Sequence, residues 1–193
     1  APQLTHQYDF GYAPPRDNNG NTMVYGVPTA DLVDEFEMAD GTKFSWSNAT
    51  HAAKPYEGRE SRFYASILYH GAQWKGRTLN TSVADAQEGF SQYGVLAEPR
   101  RTVTGYYTKK FLDPTNTNFG VNRSSQSWIE LRLGEVYLNL AEAKAGLDDY
   151  SGSASTLSAL RTARGLNIIN YNTAATALAA IEHERMVELA FEG

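Results

Sequence analysis

The sequence feature that most constrains the fold is a helical periodicity that begins near residue 129. Apolar residues recur there every four or three positions: Ile129, Leu133, Val136, Leu140, Ala143 and Leu147. This spacing places them on one stripe of an amphipathic α-helix. We expect the stripe to be buried, because a helix with an apolar face needs another element to cover it.

Two more helices are predicted downstream. Gly146 and Asp148-Asp149 interrupt the first, and Ser151 or Ser153 is suited to cap a second. The second carries Ala154, Leu157, Leu160 and Arg164 at helical spacing, and Gly165 is placed at its end. A third begins near Thr173 and continues to Phe191, with an inward face made of Leu178, Ile181, Met186 and Leu189. The short first connection predicts an antiparallel hairpin.

This hairpin is similar to a tetratricopeptide repeat, a helix-turn-helix unit of about 34 residues. Its first helix contains Leu133-Gly134-Glu135-Val136-Tyr137, which matches the L-G-x-x-Y segment of that repeat. Trp128 stands two positions too early for the tryptophan of the pattern. Since one such unit cannot bury its own face, neighbouring repeats or other packing must cover it.

Residues 1–127 are richer in turn-forming residues, which predicts a loop-rich segment with a short helix and a small β element. The short helix follows Pro28-Thr29, runs over residues 30–36 and ends at the turn Asp40-Gly41. Phe63–Tyr69 and Val103–Phe111 have the alternation and β-branched or aromatic content of strands, which could pair. Residues 128–193 form the tetratricopeptide-like segment. The predicted class is mainly α, with tetratricopeptide-like hairpins, long irregular loops and a small β element, as one structural unit of a longer protein.

Composition and motifs exclude several function classes. The net charge is -5, from 17 basic and 22 acidic residues without a Lys/Arg run, so we do not expect nucleic acid as a partner. The chain has no cysteine, its four histidines are far apart, and no phosphate-binding or hydrolase motif occurs, so we expect neither a metal nor a cofactor. Asp17-Asn18-Asn19-Gly20-Asn21 lacks the twelfth-position Glu of a calcium loop and is interpreted as a turn.

Two carboxylates raise the alternative of a glycoside hydrolase. Glu184 and Glu188 lie one helical turn apart, and two carboxylates are what glycosidase chemistry requires. Helical spacing alone explains the pair, however. Glu182 and Arg185 fall within the apolar arc of the same helix, so we expect them to form a partly buried intrahelical pair.

Aromatic residues in polar loops are the candidate ligand contacts. Sugars are bound by flat apolar rings beside hydrogen-bonding groups, and the rings with such neighbours are Trp46, Trp74, Tyr12 and Tyr25. The alternative for each is that the ring fixes its loop to the core. Trp128 and Tyr137 lie in the helical region and are expected in the core.

Three ordered segments resemble the RagB/SusD family. The first is Pro28 to Phe36 with Asp40-Gly41, and the second combines Arg62 to Gly71 with Gly105 to Phe111. The third and strongest comprises Trp128 to Ala143, Leu160 to Leu166 and Glu184 to Gly193. Glu60-Ser61 stands where family members commonly have Asp-Pro, and the usual signal sequence and lipid-bearing Cys are absent, so the chain resembles the middle-to-late part of a longer protein.

The resemblance implies a non-enzymatic component that captures oligosaccharides or similar nutrients at the bacterial cell surface. It further implies transfer of the ligand to a TonB-dependent outer-membrane transporter of the SusC type. Localisation would be the outer membrane, through a lipid anchor that is not part of this sequence. A protein-interaction scaffold built on the helical hairpin is the remaining alternative.

Overall fold

The computed structural model describes residues 5–18, 24–91, 100–117 and 123–192. Its α-helices are α1 (Tyr8–Tyr12), α2 (Ala30–Glu35), α3 (Ala49–Ala53), α4 (Ser61–Ser66), α5 (Leu133–Gly146), α6 (Tyr150–Ala163) and α7 (Ala174–Glu188), and a 3-10 helix covers Pro15–Asn18. The strands are β1 (Ile67–Leu68), β2 (Gln73–Trp74), β3 (Arg77–Thr78) and β4 (Tyr107–Thr108). The predicted mainly α class with long loops and a small β element is confirmed.

The chain forms two compact units, each built from two separate stretches of sequence. The loop unit consists of Ala1–Val33 and Ala65–Trp128, and the helical unit consists of Asp34–Tyr64 and Ile129–Gly193. The division of the sequence into a loop-rich segment, 1–127, and a helical segment, 128–193, was inferred from composition and remains a prediction.

The helical unit contains the predicted antiparallel hairpin of α5 and α6, with α7 packed against it. Its core consists of Leu138, Ala141, Ala145, Leu157, Leu160, Ala177 and Ile181. Thr173 caps α7 as expected, in a capping box with Thr176, and Gly165 follows α6 with a φ of +79°. The cap of α6 is Asp149, which accepts a bond from the Gly152 amide, rather than Ser151 or Ser153.

The predicted buried stripe of α5 is wrong. Leu140 is 46% exposed, and Ile129, Leu133, Val136 and Leu147 are exposed as well. The buried face carries Gly134, Leu138, Ala141 and Ala145 instead. The reason is geometric, since small residues allow the backbones of neighbouring helices to approach closely, whereas the larger stripe would hold them apart. In α7 the same error affects Leu178 and Met186, which are exposed.

The loop unit has two small antiparallel pairs, β1 with β4 and β2 with β3. Pairing between the two predicted strand regions is confirmed by the register Ile67 to Thr108 and Leu68 to Tyr107. The predicted strand over Phe63–Tyr69 is wrong for its first half, which is helix α4. Period-two alternation over so few residues did not distinguish a strand from a helical turn that buries Arg62 and Phe63. Within the described residues, no helix has both the length and the apolar character needed to span a bilayer.

Candidate ligand-binding site

The candidate site is a row of aromatic rings that starts on α1 in the loop unit. Tyr8 and Tyr12 are four residues apart and therefore lie on one side of this helix. Their rings stack with centroids 4.3 Å apart and an interplanar angle of 16°. The two tyrosines thus form the centre of the row.

Tyr25 extends the row at one end and is 67% exposed. Its ring meets that of Tyr12 edge to face at 6.4 Å, and its amide donates to the Gly11 carbonyl at 2.8 Å. A Cβ added at Gly11 would lie only 2.5 Å from the Tyr25 ring. Glycine at this position is therefore what allows the ring to lie against α1.

Trp128 lies at the other end of the row. Its ring is 5.4 Å from that of Tyr8 and 5.2 Å from that of Phe111, and the His6 ring lies 6.3 Å away. The sequence placed Trp128 in the core, but its exposed fraction is 44%. That expectation is corrected: the residue precedes α5 and packs among aromatic neighbours that the sequence does not place beside it.

Next to Trp128 is a cleft of about 420 Å³ whose other lining is polar: Thr5, His6, Ser125, Gln126 and Ser127. His6 holds this edge in place through backbone bonds with Ser124 in both directions, each 3.0 Å long. Its ring Nε2 is also 2.9 Å from the Gln126 carbonyl. Hydroxyl, amide and imidazole groups beside an indole face are the combination that a hydroxyl-rich ligand requires.

Asp9 anchors the helix that carries the two stacked tyrosines. The carboxylate is almost fully buried and accepts bonds from the Asp113 amide (3.1 Å) and the Asn116 side chain (3.2 Å). Burial raises the pKa of Asp9 more than these bonds lower it. Burial, together with Tyr12 and Asp9, also raises the pKa of Tyr8, so its hydroxyl remains a neutral donor.

The four predicted contact residues fall into different settings. Tyr12 and Tyr25 are brought together in the row. Trp74 is in the same unit but only 4% exposed, and its Nε1 donates to Asp17 at 2.5 Å, so the ring packs in the core of the unit. Trp46 belongs to the helical unit, is 52% exposed and donates from Nε1 to Asp34 at 2.7 Å.

The suspected catalytic carboxylates belong to a buried ion network in the helical unit. Glu184 accepts from Arg62 at 2.6 Å and from Arg161 at 2.7 Å. Glu188 accepts from Arg62, Arg132 and Arg164 at 2.5 to 3.1 Å. Burial would raise the pKa of Glu188, but the bonds from these arginines lower it to about 2.

This network explains Glu184 and Glu188 as structural residues. Because its pKa is lowered to about 2, the Glu188 carboxylate stays ionised near neutral pH and cannot serve there as a general acid. The expected intrahelical pair of Glu182 and Arg185 is wrong, since Glu182 is exposed and Arg185 bonds Glu142 at 2.7 Å. Residues 19–21 of the suspected calcium loop lie outside the described part of the chain. Within that part, no group of three or more His, Cys, Asp or Glu side chains could hold a metal ion.

Comparison with known proteins identifies the family. A sequence model of the SusD family matches residues 3–193. The chain belongs to the SusD family. A SusD-like protein from Bacteroides fragilis NCTC 9343 is 34% identical, with a TM-score of 0.70 over 86% of this chain and 33% of its own. A SusD-like carbohydrate binding protein from the same strain is 24% identical, with a TM-score of 0.79 over 98% of this chain and 37% of its own.

The SusD-family chain described here therefore spans about a third of the length of these two solved relatives. No curated protein matches it significantly. The glycine of the family-like segment Leu133 to Tyr137 has a physical explanation. A Cβ at Gly134 would lie 2.5 Å from Arg132 Nη1 and 2.9 Å from Glu188 Oε1. Glycine at this position makes room for the ion network.

Proposed function

We propose that this chain is a non-catalytic glycan-binding part of a SusD-like nutrient-uptake protein. The observation that carries the proposal is the aromatic row, whose exposed ends are Tyr25 and Trp128, with the polar cleft beside the tryptophan. Membership of the SusD family supports it, as does the carbohydrate binding named for one solved relative.

The physical basis is stacking combined with hydrogen bonding. The C–H face of a sugar loses contact with water when it covers an aromatic ring. The sugar hydroxyls project from the edge of the sugar ring and so remain free to bond Gln126 or the neighbouring serines. Binding of this kind needs no activated group. It therefore agrees with the structural role of Glu184 and Glu188 in the ion network.

Trp46 is the second candidate contact. Its bond to Asp34 fixes the indole plane, and Phe44 packs edge to face against it at 5.1 Å, so a held ring is half exposed to solvent. Trp74 would support the loop unit from within rather than contact a ligand. Tyr12 would act mainly through its stack with Tyr8.

The partner and location proposed for the parent protein follow from its family. We propose that it acts at the outer-membrane surface and delivers its ligand to a TonB-dependent transporter of the SusC type. Co-purification of such a transporter with the tagged parent protein from solubilised outer membranes is the expected result. Recovery of the parent protein without any transporter would contradict this part of the proposal.

A glycan array followed by isothermal titration tests the binding proposal. Once an oligosaccharide is found, Trp128→Ala and Tyr25→Ala should each weaken its binding by about thirtyfold, because loss of an aromatic ring on which a ligand stacks costs about 2 kcal/mol where that ring is a binding hot spot. Trp46→Ala is the matched comparison, since it removes an exposed ring from the other unit.

The outcomes separate the candidates. A loss confined to Trp46→Ala would transfer the site to the helical unit, and equal affinity for all three variants would reject both surfaces. Release of reducing ends from the bound oligosaccharide would contradict the non-catalytic role. Trp74→Phe should leave affinity unchanged while lowering stability.

A further inference from the structure

His6 joins the two segments that carry the rings of the aromatic row. It precedes α1, which carries Tyr8 and Tyr12, and its backbone pairs with Ser124 on the segment that leads to Trp128. Its ring is partly buried, lines the cleft and meets the Trp128 ring at 6.3 Å with an interplanar angle of 78°. A change in the state of His6 therefore acts on both segments.

Both nitrogens of the His6 ring are engaged, and their partners select one tautomer. The Tyr8 backbone amide donates to Nδ1 at 3.3 Å, so this nitrogen carries no proton. Nε2 lies 2.9 Å from the Gln126 carbonyl, which can only accept, so Nε2 carries the proton and donates the bond. The neutral imidazole thus bonds α1 on one side and the segment of Trp128 on the other.

A second proton on this ring is incompatible with the arrangement. An imidazolium has two N–H donors and no acceptor, so its Nδ1–H would face the Tyr8 amide, which is also a donor. The bond between the ring and the start of α1 is then lost, and the ring or the helix must move. Because Tyr8 stacks on Tyr12 and packs 5.4 Å from Trp128, such a movement changes the spacing of the rings in the row.

The charged groups near His6 act on its second proton in opposite directions. Burial raises the pKa of Asp9 on α1, and the attraction of a charged His6 is among the smaller effects that lower it, so Asp9 favours the proton. Arg123, beside the residue that pairs with His6, and Lys110, over the ring that packs on Trp128, are cations and disfavour it. In the described part of the chain, none of these three side chains bonds a ring nitrogen of His6. The two bonds of the ring therefore decide which of its forms fits the site.

Granted the glycan binding proposed above, we propose that His6 is a positioning residue of that site and holds the aromatic row for the ligand only in its neutral form. Histidine is the side chain that ordinarily changes charge between about pH 5 and 8. Affinity is therefore highest at neutral pH and falls on acidification, because the proton removes the bond that fixes the start of α1. The site retains a glycan in neutral medium and releases it in acidic medium.

The first measurement is affinity against pH, by isothermal titration with the oligosaccharide identified on the array. For the unaltered chain, binding at about pH 7.5 should be about fivefold tighter than at about pH 5. A fivefold change corresponds to about 1 kcal/mol, the usual net contribution of one hydrogen bond. Circular dichroism at both pH values should show the same helix content. Equal affinities at the two values would overturn the proposal.

Two variants separate His6 from other groups that titrate. His6→Asn keeps an acceptor for the Tyr8 amide, because an Asn oxygen accepts from the backbone amide two residues on, but it cannot take up a proton. Its affinity should therefore be the same at both pH values. His70→Gln is the matched control, since His70 Nδ1 accepts from the Thr81 amide at 3.2 Å in the same unit, and it should keep the fivefold change. A pH dependence that persists in His6→Asn would contradict the role of His6.

A measurement without ligand distinguishes failure of this proposal from failure of the proposed function. By isotope-edited NMR, His6 Nδ1 should be unprotonated and Nε2 protonated at neutral pH. The Tyr8 amide and Trp128 indole signals should then shift together as His6 becomes charged, in the unaltered chain and in His70→Gln. If they do not follow His6, the positioning role is wrong even where a glycan binds. If they follow it and no oligosaccharide binds, the proposed function is wrong and the coupling of the rings to His6 stands.

Discussion

The two units of this chain are stabilised in different ways. In the helical unit, α5, α6 and α7 bury aliphatic side chains together with an arginine and glutamate network. In the loop unit the described strands have two residues each, and aromatic packing and side-chain bonds to the backbone replace regular structure. The helical unit therefore contains the regular packing and the buried ion network. The half-exposed rings of the row, which are the candidate ligand contacts, belong to the less regular loop unit.

The largest change in the free energy of unfolding is expected from substitution of Glu188 in the helical unit. Glu188→Gln leaves Arg62, Arg132 and Arg164 without a shared carboxylate, and breaking a buried pair by removing one partner costs about 3–5 kcal/mol. Denaturant unfolding followed by helical circular dichroism should show the loss. Glu142→Gln, which affects an exposed pair with Arg185, should cost less than about 1 kcal/mol. Similar costs for the two variants would mean that the network is not what stabilises the helical unit.

Leu138 and Leu140 test which side of α5 belongs to the core. Leu138→Ala removes a fully buried side chain and should cost about 2–5 kcal/mol. Leu140→Ala should change the free energy of unfolding by less than about 1 kcal/mol, because its side chain is half exposed. Thermal or chemical melts of the two variants give the ranking directly. The reverse ranking would restore the sequence-based placement of the core.

Acid should weaken the helical unit through Glu188. Its folded pKa of about 2 lies below the ordinary 4.5, so the unfolded chain takes up the proton first as the pH falls. The resulting stabilisation is complete above about pH 5 and is lost as the pH falls from 4.5 toward 2, on the order of 3 kcal/mol in all. Unfolding free energies measured over this range should show the slope. The Glu188→Gln variant should lack this part of it, and an unchanged slope would contradict the assignment.

The smallest effect on stability is expected at Gly11, with a larger one on binding. Gly11→Ala would push the Tyr25 ring off α1, and since a surface ring can move, the free energy of unfolding should change by less than about 1 kcal/mol. Affinity for an oligosaccharide that binds the row should fall several-fold in titration. Gly146→Ala, where an added Cβ meets nothing within 4 Å, is the matched control and should leave affinity unchanged. Equal affinities for both variants would remove Tyr25 from the site.

Local signals made part of this structure predictable. The caps at Thr29 and Thr173, the turn at Gly41 and the glycine after α6 were all recognisable, because each depends on a few adjacent residues. The hairpin followed from periodicity, although α5 begins at Leu133 rather than near Ile129. Ordered motifs that are similar to a known family supplied the identity, which no physical pattern in the chain could have given.

What could not be predicted depends on contacts distant in sequence. The side of α5 that is buried is set by what α6 and α7 can approach, and periodicity could not decide between a stripe of large residues and one of small residues. Trp128 joins Tyr8 across about 120 positions of sequence, so its place in the row had no local signal. The ion network joins Arg62 to Glu188 in the same way. Arg164, on the stripe of the second helix, belongs to it, whereas Glu182 and Arg185, which the sequence placed within the apolar arc of α7, do not.

The division of each unit between two stretches of sequence has a consequence for synthesis of the chain. Residues 34–64 belong with residues 129–193, so they leave the ribosome well before their partners exist. During that interval Glu60 and Arg62 have each other but not Glu184 or Glu188. The loop unit can close once residue 128 has emerged. We therefore expect the stretch from 34 to 64 to be the most susceptible to proteases and the most dependent on chaperones while the chain is being made.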